Sequence, residues 1–248
     1  PSSAPVAAVL CIGLVNSTAR RRDGRLGGNQ PARDAAFGKQ IKRPFDAAVE
    51  VAVKQAGGWI VNPAGDAWCC ALPEPQQAVE CGLALQHRLK SLLRRTPVGQ
   101  VLARVGLHFG SAGPDPKRYI DQAGNVAARV QGHAPEGSVA VSAAVRELCA
   151  DGITGVSFRS LGPKDIKGLG NQEVFVVECS PRTAKKLSEE WTKAAESGNS
   201  QQISASAVSP EVDALLRPYR DYLVGQFRFL PMRGIRRDER HKHGDPQR

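Results

Sequence analysis

An α+β sandwich of ferredoxin-like type, βαββαβ, is the architecture this sequence predicts. Three observations carry it: an apolar strand near the start, two amphipathic helical stretches, and a glycine-marked hairpin between them, followed by another strand. VAAVLCIGLV (residues 6–15) is a short apolar run ended by the turn residues Asn16, Ser17 and Thr18, as a buried strand would be. The basic, glycine-containing stretch STARRRDGRLGGNQ follows and reads as a loop. From Pro31 to Gln55, Phe37, Ile41, Phe45, Ala48, Val49, Ala52 and Val53 recur at helical spacing, and Gly57 and Gly58 end the helix. WIV and AWCCAL flank NPAGD, a hairpin turning at Gly65 and Asp66. Between Gln76 and Arg95, Val79, Leu83, Leu85, Leu89 and Leu92 mark a second amphipathic helix. VLARVGLHFG is a further strand, with the loop SAGPDPK after it. Residues Asp121 to Gln131 predict a short helix, SVAVS a strand, and EVFVVE (173–178) the last strand of the domain.

The domain therefore spans residues 1–179. Residues 180–209 are rich in Ser, Lys and Gln and read as a polar linker. In the connector at 210–235, Leu215, Leu216, Tyr219, Tyr222, Leu223 and Phe227 form an apolar helical face, with Pro218 kinking it. The basic tail 236–248 lacks core residues and reads as disordered.

With 248 residues the chain has room for one full core, and its net charge of +10 favours anionic partners. Six cysteines are too few for a disulfide scaffold of this size. Cys11, Cys81, Cys149 and Cys179 sit in apolar stretches as small core residues. Cys69 and Cys70, adjacent on a strand, face opposite sides, and this usage suits a reducing, cytoplasmic setting. No apolar run approaches the roughly 20 residues of a membrane helix, and the start lacks a basic leader, so a soluble chain is expected.

Three stretches carry chemistry. In NPAGDAW, Asp66 occupies a hairpin tip, where a lone aspartate serves the turn. In GNVAARV, Asn125 and Arg129 lie four apart on one helix face, an amide and a guanidinium able to grip one phosphate. In SLGPKDIKGLGNQEVFVVE, Lys167 precedes Gly168 beside a strand, within reach of a phosphate. Each is weak alone.

In their order, VLCIGLVNST, GGWIVNPAGDAWCCAL, RVGLHFGSAG, GNVAARV, APEGSVAVS and SLGPKDIKGLGNQEVFVVE resemble the class III nucleotidyl cyclase catalytic domain over about residues 6 to 178. The resemblance implies a nucleoside triphosphate as substrate and two divalent metals, Mg2+ or Mn2+, held by two aspartates. One metal would activate the ribose 3′-hydroxyl and both would clamp the triphosphate. It implies a site between two head-to-tail subunits, either a homodimer or a heterodimer with another cyclase-type chain. Asp66 matches the second metal aspartate, Asn125 the ribose-orienting asparagine, Arg129 the arginine that stabilises charge on the α-phosphate, and Lys167 the lysine on the terminal phosphates. Ser17 and Thr18 fall in the turn that cradles phosphate. Gly13 stands where the family has its first metal aspartate. Asn62 holds the base-reading position that is Lys in adenylate cyclases, and Arg118 falls where those enzymes carry Asp. His108 matches a common strand residue and is read as structural; His133 has no role. Asp23, in RRRDGR, is a nearby acid that could take the place of the missing carboxylate.

The expectation is a cyclase homology domain of a signalling protein, with weak or absent turnover as an isolated homodimer. The alternative is a non-catalytic nucleotide-binding or dimerisation module gating an attached effector. YRDYLVGQFRFLPMRGI is similar to the connector ahead of STAND or NACHT NTPase domains. A ferredoxin-like nucleic-acid binder would explain the charge but not the motif order. With aromatics at 5% of the chain, no stacking platform supports it.

Overall fold

The computed structural model describes residues 6–64, 67–111, 121–150, 152–167 and 169–196. The chain runs β1 (Val6–Leu14), α1 (Ser17–Arg21), α2 (Gln30–Phe37), α3 (Arg43–Gln55), β2 (Trp59–Ala64), β3 (Ala67–Leu72), α4 (Pro75–Leu92) and β4 (Ala103–Ser111). It continues with α5 (Asp121–His133), β5 (Val139–Ser142), α6 (Ala143–Leu148), β6 (Val156–Ile166), β7 (Gly170–Cys179) and α7 (Pro181–Glu196). One seven-stranded sheet is ordered β2-β3-β1-β4-β5-β7-β6. Its first four strands, with α2–α3 and α4 as crossovers, are the expected βαββαβ core.

Central position explains the near-continuous apolar run of β1, which pairs antiparallel with β3 on one side and β4 on the other. Alternation splits it between two layers. Ala8, Leu10, Ile12 and Leu14 enter the main core with Phe37, Ile41 and Phe45 from the first helical layer and Leu85 and Leu89 from α4. Val9 and Cys11 point the other way, against Ala123 and Ala127 of α5. The helix α5 lies so close to the sheet that a Cβ on Gly106 of β4 would meet the Gln131 amide nitrogen at 2.1 Å and the Ala127 carbonyl oxygen at 2.3 Å. Buried Gln86 of α4 donates to the carbonyls of Ala103 (3.0 Å) and Ser138 (2.8 Å), tying α4 to the start of β4 and the approach to β5.

The helix expected over Pro31–Gln55 is present but interrupted by a π-turn at Gly38–Lys42, where the Arg43 amide reaches back to the Gly38 carbonyl. Pro44, having no N–H, cannot continue the ordinary ladder at this point, and the widened turn absorbs the defect. The basic segment after β1, expected as a loop, holds α1 and a 3₁₀ turn at Gly24–Leu26 before α2. Strand β6 and the short α6 were not expected. Both outer strands of the sheet carry a proline and a break in register: Pro63 in β2, with a shift between Ile60 and Asn62, and Pro163 in β6, with a shift between Ser160 and Pro163.

Residues 181–196, the first part of the expected linker, instead form α7 against α3 and α4. The Ser180 hydroxyl accepts from the Thr183 amide at 3.0 Å, capping the helix. Leu187 packs on the main core, and Lys185–Glu189 and Lys186–Glu190 pair at i,i+4 spacing. The remainder of that linker, the connector at 210–235 and the tail at 236–248 lie outside the described residues.

Cys11, read as a small core residue, is joined to Cys69, read only as facing the side opposite Cys70. Cys11 and Cys69 are direct cross-strand partners, 4.4 Å apart at Cα, and form a disulfide. The physical reason is register: β1 and β3 place both sulfurs on the α5 face at a position where antiparallel Cα atoms approach most closely. Among the described residues no helix is long and apolar enough to cross a membrane.

Candidate functional site

Two groups of residues form the candidate site. The first lies at the far end of β1. Gly13 is buried, directly opposite Ala67 of β3 and Arg104 of β4, on the face that also presents Cys11 to α5. Arg104 shares that face, because its neighbour Val105 is in the main core and the register pairs Arg104 with Gly13. A guanidinium therefore stands across from the glycine. Its Nη2 is 3.6 Å from Glu136 Oε1, while its Nε is buried without a hydrogen-bond partner among the described residues. The Arg104 carbonyl accepts from Gln131 Nε2 at 3.4 Å, which fixes the strand beneath α5. Immediately after β1, Asn16 adopts φ 53°, a left-handed turn that redirects the chain so that Ser17 starts α1; Ser17 is half-buried and Thr18 exposed.

The second group lies where α5 meets β6. Val126 and Val130 of α5 pack with Ile166 and Val174, so the residues around them are brought to one edge. Arg129 Nη1 donates to the Lys167 carbonyl at 2.8 Å, and the Lys167 side chain is exposed beside it. Asn125, one turn earlier on α5, is also exposed. The structure thus brings Arg129 and Lys167 into contact, with Asn125 on the same helix. Asn62 lies in β2 opposite Cys69. Asp66 and Arg118 lie outside the described residues.

Asp23, the nearby acid, is engaged by Arg25. Its oxygens accept from the Arg25 amide (2.9 Å) and from Arg25 Nε (3.1 Å) and Nη2 (2.7 Å), and this hydrogen bonding lowers its pKa to about 2. His108 Nδ1 is 2.9 Å from Ser142 Oγ, and burial lowers its pKa, which keeps the ring neutral in the expected structural role. His133 is exposed at the end of α5. Trp68 Nε1 donates to Asp46 Oδ1 at 2.7 Å, and Lys42 pairs with the same carboxylate, anchoring the start of β3 to α3.

Arg104 is the residue that sequence reasoning missed. RVGLHFG shows it one position before a core valine on a strand, so its face was readable, but its position opposite Gly13 depends on a register that no local pattern encodes.

No family model matches the chain. Its sequence is 28% identical over 126 residues to a protein of Rhizobium meliloti (strain 1021) provisionally named adenylate cyclase 3, covering 50% of this chain and 21% of that protein. The chain thus spans about a fifth of that relative's length. Among solved structures, the adenylyl cyclase CyaB from P. aeruginosa superposes with a TM-score of 0.58 at 19% identity, covering 73% of this chain and 97% of that one. The guanylate cyclase domain of RhGC from Catenaria anguillulae, in complex with GTP, gives 0.56 at 18%, covering 71% and 97%. An adenylate/guanylate cyclase/hydrolase from Silicibacter pomeroyi gives 0.54 at 23%, covering 71% and 98%. Almost the whole of each solved domain is matched, and the fold of this chain is that of adenylate and guanylate cyclase catalytic domains.

Proposed function

We propose that the domain binds a nucleoside triphosphate through its cationic side chains, in an assembly with a second cyclase-type chain, and that as an isolated homodimer it forms cyclic nucleotide weakly or not at all. The observation that carries this reading is Arg104. A two-metal centre of the kind the cyclase resemblance implies does not fit the residues at the end of β1. Gly13 offers no carboxylate, a guanidinium faces it, and among the described residues no group of three or more His, Cys, Asp or Glu side chains could hold a metal ion. Arg104 Nε, buried without a hydrogen-bond partner among the described residues, is a donor, so the group that satisfies it is a hydrogen-bond acceptor and not a cation.

On this reading a phosphate oxygen accepts from Arg104, and the turn at Ser17 and Thr18 lies beside it. Asn125, Arg129 and Lys167 receive the ribose and phosphates of a nucleotide shared with the other subunit, arranged head-to-tail. Arg129 is held by the Lys167 carbonyl, which places the Lys167 backbone beside the guanidinium. By the cyclase resemblance Asn62 and Arg118 match the base-reading positions, where their side-chain types differ from the adenine-reading pair. Asp66 supplies at most one metal ligand, which leaves catalysis without the charge neutralisation of a metal pair.

Calorimetric titration with each of the four nucleoside triphosphates, in EDTA and in Mn2+, tests the proposal alongside a product assay in Mn2+. Metal-independent binding with little or no cyclic product is expected. Strict dependence of binding on Mn2+, together with rapid turnover, would refute it. For the assembly, sedimentation should show a dimer at high micromolar concentration with nucleotide; a monomer there would count against a shared site.

A further inference from the structure

We propose that Cys69 is a thiol–disulfide exchange site, and that the bridge it forms with Cys11 is a reversible lock between β1 and the β2–β3 hairpin. The two ends of the bridge are unequal. Cys11 is 2% exposed and lies under α5, its sulfur 3.7 Å from the Gly124 carbonyl oxygen. Cys69 is half-buried at the edge of the cluster it forms with Cys11, Ala123 and Ala127, so it is the more exposed half of the bridge toward an incoming small thiol.

The exchange balances as follows. The thiolate of a low-molecular-weight thiol such as glutathione attacks Cys69 Sγ and forms a mixed disulfide. The Cys11–Cys69 bond breaks, and its electron pair goes to Cys11 Sγ, which takes a proton. A second thiolate then attacks the glutathione sulfur, releasing glutathione disulfide and Cys69, which is protonated in turn. The reverse reaction, driven by glutathione disulfide, re-forms the bridge and returns two molecules of glutathione. The fold provides for both states: when reduced, the Cys11 thiol has the Gly124 carbonyl as acceptor.

The buried free thiols are set apart from this chemistry: burial pushes Cys70 up to about 12 and Cys149 up to about 11, and raises Cys81 well above the ordinary thiol value, while half-buried Cys179 is raised by burial too. The hairpin is where loss of the bridge would be felt. Its outer strand β2 is a sheet edge with a broken register, so within the sheet the hairpin is joined to the rest through the β1 ladder and this one covalent tie, beside the packing of β3 on α3. Gly13 lies two residues past Cys11 on the same face, so the lock sits on the strand that carries the first metal position of the resemblance.

The test uses the full chain equilibrated in reduced or oxidised glutathione, acid-quenched and alkylated, with peptide mass spectrometry of the cysteines and hydrogen exchange of the Trp68–Ala71 amides. The expected result is a Cys11–Cys69 linked peptide in the oxidised buffer, free Cys11 and Cys69 in about 5 mM reduced glutathione, and exchange about tenfold faster in the reduced form. Cys69→Ser should exchange at the faster rate in both buffers. A bridge that survives reduced glutathione in the native protein, equal exchange in the two forms, or a redox response that persists in Cys69→Ser would each overturn the proposal. These readouts need no nucleotide, so they are independent of whether the site takes a triphosphate.

Discussion

Replacing Gly106 by alanine tests the seat on which α5, and with it Asn125 and Arg129, depends. The added Cβ would lie 2.1 Å from the Gln131 nitrogen, 2.3 Å from the Ala127 oxygen and 2.5 Å from the Gln131 Cα, all backbone atoms that no rotamer change can move. Ordinary contact between heavy atoms is about 3.5 Å, so the helix must retreat by more than about 1 Å along the direction of contact. Overpacking typically costs about 1–3 kcal/mol. Because rigid backbone is the obstacle, and retreat also loosens Val9, Ala123 and Ala127, the upper end applies, about 3 kcal/mol. At about 2–4 °C per kcal/mol for a domain of this size, thermal unfolding followed by circular dichroism should show Tm lowered by roughly 6–12 °C. Gly132→Ala is the internal control: on the same helix its Cβ meets nothing within 4 Å, and it should hold or raise Tm, by up to about 1 kcal/mol in helix propensity. A Gly106→Ala protein melting within about 2 °C of the wild type would refute backbone seating of α5 on β4.

Arg104→Met should weaken triphosphate binding in EDTA by about 10- to 100-fold, the loss of a charge-assisted hydrogen bond, with little change in Tm; unchanged affinity by calorimetry would remove Arg104 from the site. Gly13→Asp places a carboxylate directly across from Arg104, where it pairs with the guanidinium and repels phosphate. Metal-free affinity should fall and binding should become dependent on Mn2+, while equal affinity with and without Mn2+ would contradict the placement of Gly13. His108 has its folded pKa below the unfolded value of about 6.5, so the neutral ring's contribution is present above pH 6.5 and is lost as pH falls through the lower folded value. Denaturant unfolding from pH 8 to 5 should show stability declining below about 6.5, and His108→Gln should flatten that decline.

The parts of the fold that were legible in the sequence are those whose burial is two-sided or periodic. The run around Leu10 and Ile12 could only be an interior strand, and the spacing from Phe37 to Val53 could only be a helix; the π-turn escaped because it follows from a single missing N–H at Pro44. Strand β6 escaped because Ser157, Arg159, Ser160 and Lys164 dilute the apolar alternation of Val156, Phe158 and Ile166, and the shift in register between Ser160 and Pro163 breaks its period. Composition also misled at α7, where the Ser180 cap and Leu187 decide the structure and the many polar residues merely face water. In the site, Asn125 and Arg129 were readable because their relation is local, four residues along one helix. The pairs Gly13–Arg104 and Cys11–Cys69 were not, since each is a cross-strand register between residues far apart in the chain.

The two prolines on the outer strands also govern how copies of this domain can meet. A free strand edge is an invitation to pair with another chain through its amides. Here Pro63 removes a donor from one flank of the sheet and Pro163 from the other, each beside a break in register that bends the edge away from a flat ladder. Growth of the sheet sideways into a second molecule is disfavoured at both ends by the same means. A partner that shares a nucleotide with this domain is thereby favoured to meet it across a face of the sheet, with side chains and helix ends meeting rather than backbones.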